Sequence, residues 1–190
     1  MLKAPVKNFI NLLRMSQTKI RYYAGIGSRE TPPGIEPSIE EAAGFLGRMG
    51  FVLRSGAAPG ADAMFEKYCT GEKEIYLPWS KFNDSESDLI IDNMDQNLVF
   101  RAREIAKKYH PGWSYLSPAA RKLMSRNTFQ VLGYDLETPS SFIVCWTPGG
   151  KISGGTGQAL RIAKDLGIPI FNLFDKDALH KIKVYITNLK

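Results

Sequence analysis

Two cysteines and two histidines among 190 residues leave little material for redox or metal chemistry. Cys69 and Cys145 lie far apart, and neither His110 nor His180 stands at ligand spacing from a partner. A disulfide framework and a zinc-organised fold are therefore not expected. Cys145, inside the apolar run Ser141–Trp146, reads as a small buried hydrophobe. A reducing, cytoplasmic setting is expected, with no metal and no cofactor. Also lacking is any apolar run near the roughly 20 residues that a bilayer crossing requires. Nothing marks a Ser-His-Asp triad.

Charge of one sign is scarce too, although the formal net charge is +6. Lys3, Lys7, Arg14 and Lys19 account for +4 of it, because residues 1–20 contain no acid. The other 170 residues hold 21 basic and 19 acidic side chains, a near balance unlike that of a strongly basic nucleic-acid binder. Residues 1–18 read as a basic, disordered extension, of which 1–14 are expected to be dispensable, and 19–190 as a single domain. One local excess stands out. Arg101, Arg103, Lys107, Lys108, Arg121, Lys122 and Arg126 are set against Glu104 alone. This run is either a solvated helix face or an anion-facing surface.

Strand and helix signals alternate along the chain. Lys19–Ile26, Phe51–Arg54, Glu74–Pro78, Ser141–Trp146 and Ile168–Leu173 read as strands. Helices are expected after Ser38, with Glu41 completing a capping box, over 61–69 and 95–109, from Ser117-Pro118 to Gly133, and over 158–166. The tail, 176–188, fits helix or strand. Alternation of this kind predicts a Rossmann-like parallel sheet with helices on both faces, a three-layer α/β/α arrangement.

Three glycine-rich segments fall where strands end: Gly25–Arg29, Ser55–Asp62 and Gly149–Gly157. In an open parallel sheet, ligands bind beyond the carboxyl ends of the strands. Glycine lets backbone N–H groups approach a phosphate, and the following helix adds its positive end. Arg29 can grip an anion as a fork. Arg126-Asn127 interrupts an otherwise apolar helical pattern, and a buried arginine needs an acid or an anion beside it. The first turn is no dinucleotide fingerprint, since the third glycine position, counted from Gly25, holds Glu30.

Read in order, Gly25-Ile26-Gly27-Ser28-Arg29, Ser55-Gly56-Ala57-Ala58-Pro59-Gly60-Ala61-Asp62, Leu77-Pro78-Trp79, Arg126-Asn127 and Gly154-Gly155-Thr156-Gly157 resemble one superfamily. It unites the DNA-processing protein DprA, the LOG-type nucleotide phosphoribohydrolases and small YspA-like proteins. The resemblance covers about residues 20–173 and is nearest to the YspA-like and small phage DprA-like members. It implies a Rossmann-like fold, a phosphorylated nucleotide-derived ligand and a homodimer. In that reading Gly27, Ser28 and Arg29 hold one anionic group. Ser55, Gly56 and Gly60 cradle the phosphate, and Asp62 takes a sugar hydroxyl. Gly154, Gly155, Thr156 and Gly157 close the far side, with Arg126 and Asn127 adding charge and polarity. The LOG branch implies cleavage of an N-glycosidic bond, but its catalytic glutamate is replaced here by Arg161. Asp62 and Glu66, one helical turn apart, are the alternative carboxylate pair for that chemistry. The DprA branch implies instead single-stranded DNA binding without catalysis.

Overall fold

A computed structural model describes residues 20–189. The segment read as a basic extension, 1–18, lies outside the described residues. Five strands among the described residues form one sheet: β1 (Arg21–Gly27), β2 (Phe51–Ser55), β3 (Lys73–Ile75), β4 (Phe142–Trp146) and β5 (Ile170–Asn172). Their order is β3-β2-β1-β4-β5 and every pairing is parallel. Among the described residues, six α-helices connect or follow them: α1 (Glu36–Arg48), α2 (Ala61–Tyr68), α3 (Gln96–Tyr109), α4 (Pro118–Leu132), α5 (Gly154–Asp165) and α6 (Ala178–Asn188).

The periodicities explain the layers. Ile39, Ala42, Ala43 and Leu46 of α1 are buried at the i, i+3, i+4, i+7 spacing of a helix with one apolar face. They pack with Phe65 of α2 and Ile182 of α6 on the sheet face that carries Tyr23, Leu53 and Phe142. On the opposite face, Ala24, Ile26, Ile143 and Cys145 meet α3, α4 and α5 through residues such as Ala102, Phe129 and Leu160. The chain is therefore a three-layer α/β/α fold of Rossmann-like architecture. Every residue of β4 is buried, as a strand covered on both faces requires. Burial pushes the Cys145 thiol up to about 12. Phe142 stacks on Tyr23 at 6.0 Å between centroids and meets Phe51 edge-on at 5.3 Å. Each such buried ring contributes about 1.5–3 kcal/mol.

Two helices start at side-chain caps. Asp95 accepts the N–H groups of Asn97 and Leu98 at 2.8 and 3.1 Å, and Ser117 accepts that of Ala120 at 3.2 Å. The capping box expected at Ser38 does not form. A 3-10 turn over Pro33–Ile35 runs directly into α1, which starts at Glu36 with Pro37 in its first turn. The missing N–H of proline is harmless there, and Glu36 sits favourably at the positive end. Helix α5 begins at Gly154, four residues before the expected start, so the glycine run forms its first turn rather than a loop. The third strand is shorter than expected and ends at Ile75; Leu77 makes only a bridge to Ile90. The tail is helical.

An arginine lies in the core beside the sheet. Arg54 of β2 is 2% exposed. Its Nε donates to Glu74 at 2.7 Å and its Nη1 to the Thr138 carbonyl at 2.6 Å, while its guanidinium lies 3.6 Å from the Tyr22 ring centroid. Tyr76 donates to the same Glu74 oxygen. The charge is thus paired, hydrogen-bonded and stacked, which a buried arginine requires. Among the described residues no helix is long and apolar enough to cross a membrane.

Candidate functional site

The sheet order reverses between β1 and β4. From β1 the chain moves through β2 to β3 on one side; residues 76–141 then carry it back to β4 on the other. Loops leaving β1 and β4 therefore diverge, and a crevice opens between them at their carboxyl ends. A cleft of about 490 Å³ occupies that place. Its walls are Gly27, Ser28, Arg29 and Glu30 after β1, Thr147 and Pro148 after β4, Ser153–Thr156 at the start of α5, and Leu123, Met124, Arg126, Asn127 and Gln130 on α4. Ala58 and Asp62 complete it from the β2 side.

The expected site residues divide into two groups. Gly27, Ser28, Arg29, Asp62, Arg126, Asn127, Gly154, Gly155 and Thr156 line this cleft together. Ser55, Gly56, Gly60, Glu66 and Gly157 do not. Ser55 is fully buried and its Oγ donates to the Gly25 carbonyl at 2.7 Å. The Cα of Gly56 lies under the guanidinium of Arg126; a Cβ there would stand 1.3 Å from Nη1. Gly60, at φ +81°, faces the Ser28 carbonyl, which a Cβ would meet at 2.3 Å. Asp62 and Glu66 do not act as a pair on the cleft. Asp62 faces it, while Glu66 stands outside, with Lys73 donating to its main-chain carbonyl at 3.2 Å.

Asp62 joins three elements. Its Oδ1 accepts the Gly27 N–H at 3.0 Å, and its Oδ2 accepts Arg126 Nη1 and Gln130 Nε2, both at 3.2 Å. Burial pushes the Asp62 carboxyl up from its ordinary value, against the opposing pull of Arg126 and the N–H donors. Burial likewise pulls Arg126 down while Asp62 holds it up. The pair is almost wholly enclosed, with side-chain exposures of 6% and 3%. Gln130, one turn beyond Arg126 on the same helix face, escaped sequence reading, although its i, i+4 spacing was the signal that could have found it.

The α5 end of the cleft is built differently. Gly154 has φ +62° and nothing within 4 Å of where a Cβ would be. Ser153 makes no side-chain cap, and the first turn holds no acid. The N–H groups of Gly154, Gly155 and Thr156 find no acceptor among the described residues. Two contacts fix this turn in place: Thr156 Oγ1 donates to the Gly27 carbonyl at 2.7 Å, and Asn127 Nδ2 donates to the Gly155 carbonyl at 3.2 Å. Arg29 is exposed and has no carboxylate partner among the described residues. The Nε of Arg126 is buried without an acceptor. Donors without acceptors among the described residues thus come from α5, α4 and the β1 loop, and Leu123 and Met124 add an apolar part to the same cleft. Among the described residues no group of three or more His, Cys, Asp or Glu could hold a metal ion. Compared with known proteins, the chain matches no protein-family model, no curated protein and no solved structure.

Proposed function

We propose that the cleft binds a phosphorylated, nucleotide-like ligand, with its phosphate on the first turn of α5 and within reach of Arg29. The observation that carries this reading is the α5 terminus. Three N–H groups without acceptors point out of a positive helix end at the switch point of the sheet. The apolar side chains of Leu123 and Met124 offer a flank for a base. Asp62, already engaged by Arg126, Gln130 and Gly27, serves as a structural clamp. Glu30 is then the cleft carboxylate free to meet a sugar hydroxyl.

The proposal stops at binding. A glycosidic step needs two carboxylates flanking the scissile bond; Glu30 offers one, but both oxygens of Asp62, the other carboxylate of the cleft, already accept hydrogen bonds. Arg161 stands where the resemblance puts the catalytic glutamate, and its guanidinium donates to the Ile152 and Tyr109 carbonyls. The test is a thermal-shift panel of nucleotides, cyclic nucleotides and short single-stranded DNA, run on the parent and on Arg29→Ala. Nucleotides should raise Tm, and Arg29→Ala should weaken binding about tenfold, the loss of one charge-assisted hydrogen bond, without changing the Tm of the free protein. Silence from every nucleotide would overturn the reading, and a salt-sensitive response to DNA alone would favour the DNA-binding branch. A free base released from a nucleoside monophosphate would restore the catalytic one.

A further inference from the structure

The basic run over 101–126 is largely neutralised by the fold. Arg101 pairs with Glu137 at 3.2 Å, Lys107 with Glu104 at 3.7 Å and Lys108 with Asp165 at 3.4 Å. Lys122 pairs with Asp92 at 2.6 Å and Arg126 with Asp62 at 3.2 Å. Two members are left without a carboxylate partner among the described residues, Arg103 of α3 and Arg121 of α4. Both line one groove of about 330 Å³ between those helices, which shares no lining residue with the sheet-edge cleft. Arg121 is held in place. Its Nη2 donates to the Ser114 carbonyl at 3.2 Å and its guanidinium lies 5.6 Å from the Trp113 ring centroid. Its Nε is buried and has no acceptor among the described residues. Ile91, Val99 and Pro118 supply an apolar wall.

We propose that this groove is a second anion site, which takes the phosphate monoester of a small molecule. Arg103, Arg121 and Lys122 against Asp92 leave the lining at +2. A phosphate monoester carries about −1.5 to −2 at neutral pH and presents three acceptor oxygens. A diester of the nucleic-acid backbone carries only one charge. Arginine forks suit such oxygens, and one fork is already oriented by Trp113 and Ser114. The apolar wall receives the organic part of the ester.

The test uses the full chain and reads the arginine Nε–H signals by NMR while phenyl phosphate is added. The Arg121 signal should shift saturably, and sodium chloride at matched ionic strength should leave it in place. Arg103→Gln should weaken the effect about tenfold. The Arg103 side chain is exposed and makes no hydrogen bond to any of the described residues, so that variant keeps the fold even where Arg121→Gln does not. Arg29→Ala, altered at the other cleft, should leave the Arg121 titration unchanged. Dimethyl phosphate should bind more weakly than phenyl phosphate. An unmoved Arg121 signal, an equal shift with chloride, an unaltered affinity in Arg103→Gln or a titration lost in Arg29→Ala would each overturn the proposal. A diester that binds as tightly as the monoester would do so too, and would give the groove to a nucleic-acid backbone.

Discussion

The loop after β2 and the loop after β4 look alike in sequence and behave differently in the fold. Both are rich in glycine and both lead into a helix at the same sheet edge. The β2 loop is turned inward. Its helix α2 has internal acceptors, since Ala61 N–H donates to the Ser28 carbonyl and Ala63 N–H to that of Ala58. Its glycines admit other parts of the protein, Arg126 over Gly56 and the Ser28 carbonyl against Gly60. The β4 loop is turned outward, with an open Gly154 and a helix end whose donors have no internal acceptor. A glycine that lets the backbone come close does not say what comes close. In one loop it is the protein itself; in the other it is the space of the cleft.

Replacing a glycine in each loop gives the widest contrast. Gly56→Ala should cost about 3–5 kcal/mol in urea unfolding, because the methyl must displace the Arg126 guanidinium and break a buried ion pair. Gly154→Ala should cost about 1–2 kcal/mol, the strain of a left-handed alanine in open space. Equal losses at the two positions would abolish the distinction. Deleting a hydroxyl from each loop sharpens it further. Ser55→Ala should cost about 1–2 kcal/mol, from a buried hydrogen bond to Gly25, and leave nucleotide affinity alone. Thr156→Val should cost under about 1 kcal/mol but weaken nucleotide binding several-fold, since Thr156 fastens the first turn of α5 to Gly27. If Ser55→Ala were the variant that lost affinity, the β2 loop would be the ligand loop after all.

These contrasts show which parts of the fold were legible in the sequence. Element type was written in local chemistry: the spacing of Ile39, Ala42, Ala43 and Leu46, the unbroken apolar run of β4, the caps Asp95 and Ser117. The start of α1 was not, because Ser38-x-x-Glu41 and Pro37 each mark a first turn, and the 3-10 turn at Pro33–Ile35 runs straight into Glu36. In the cleft, a buried Arg126 demanded an acid or an anion, and both answers were open. Only the fold brings Asp62, 64 residues away, to within 3.2 Å. Arg54 was less legible still. Its environment comes from Tyr22, Glu74 and Thr138, none of them close to it along the chain.

The smallest expected effect concerns how firmly the β4 loop is held from behind. Arg161 of α5 spans from the Ile152 carbonyl, just before the open turn, to the Tyr109 carbonyl at the end of α3. His110 lies beside it, with a buried Nδ1 that has no partner among the described residues. Burial, and then the charge of Arg161, hold its pKa below the ordinary histidine value. The folded protein therefore accepts this proton less readily than the unfolded chain. The stability tied to a neutral His110 is complete above the ordinary value, about 6.5, and is lost as pH falls through the lower folded value. Tm should hold steady above about pH 7 and begin to fall below about pH 6, before most carboxylates titrate. His110→Gln should flatten that part of the profile. Nucleotide affinity in the parent should weaken only as pH falls through that lower folded value, because a second cation next to Arg161 then loosens its grip on Ile152. If affinity stayed constant down through that folded value, the first turn of α5 would be held independently of Arg161, by Thr156 and Asn127.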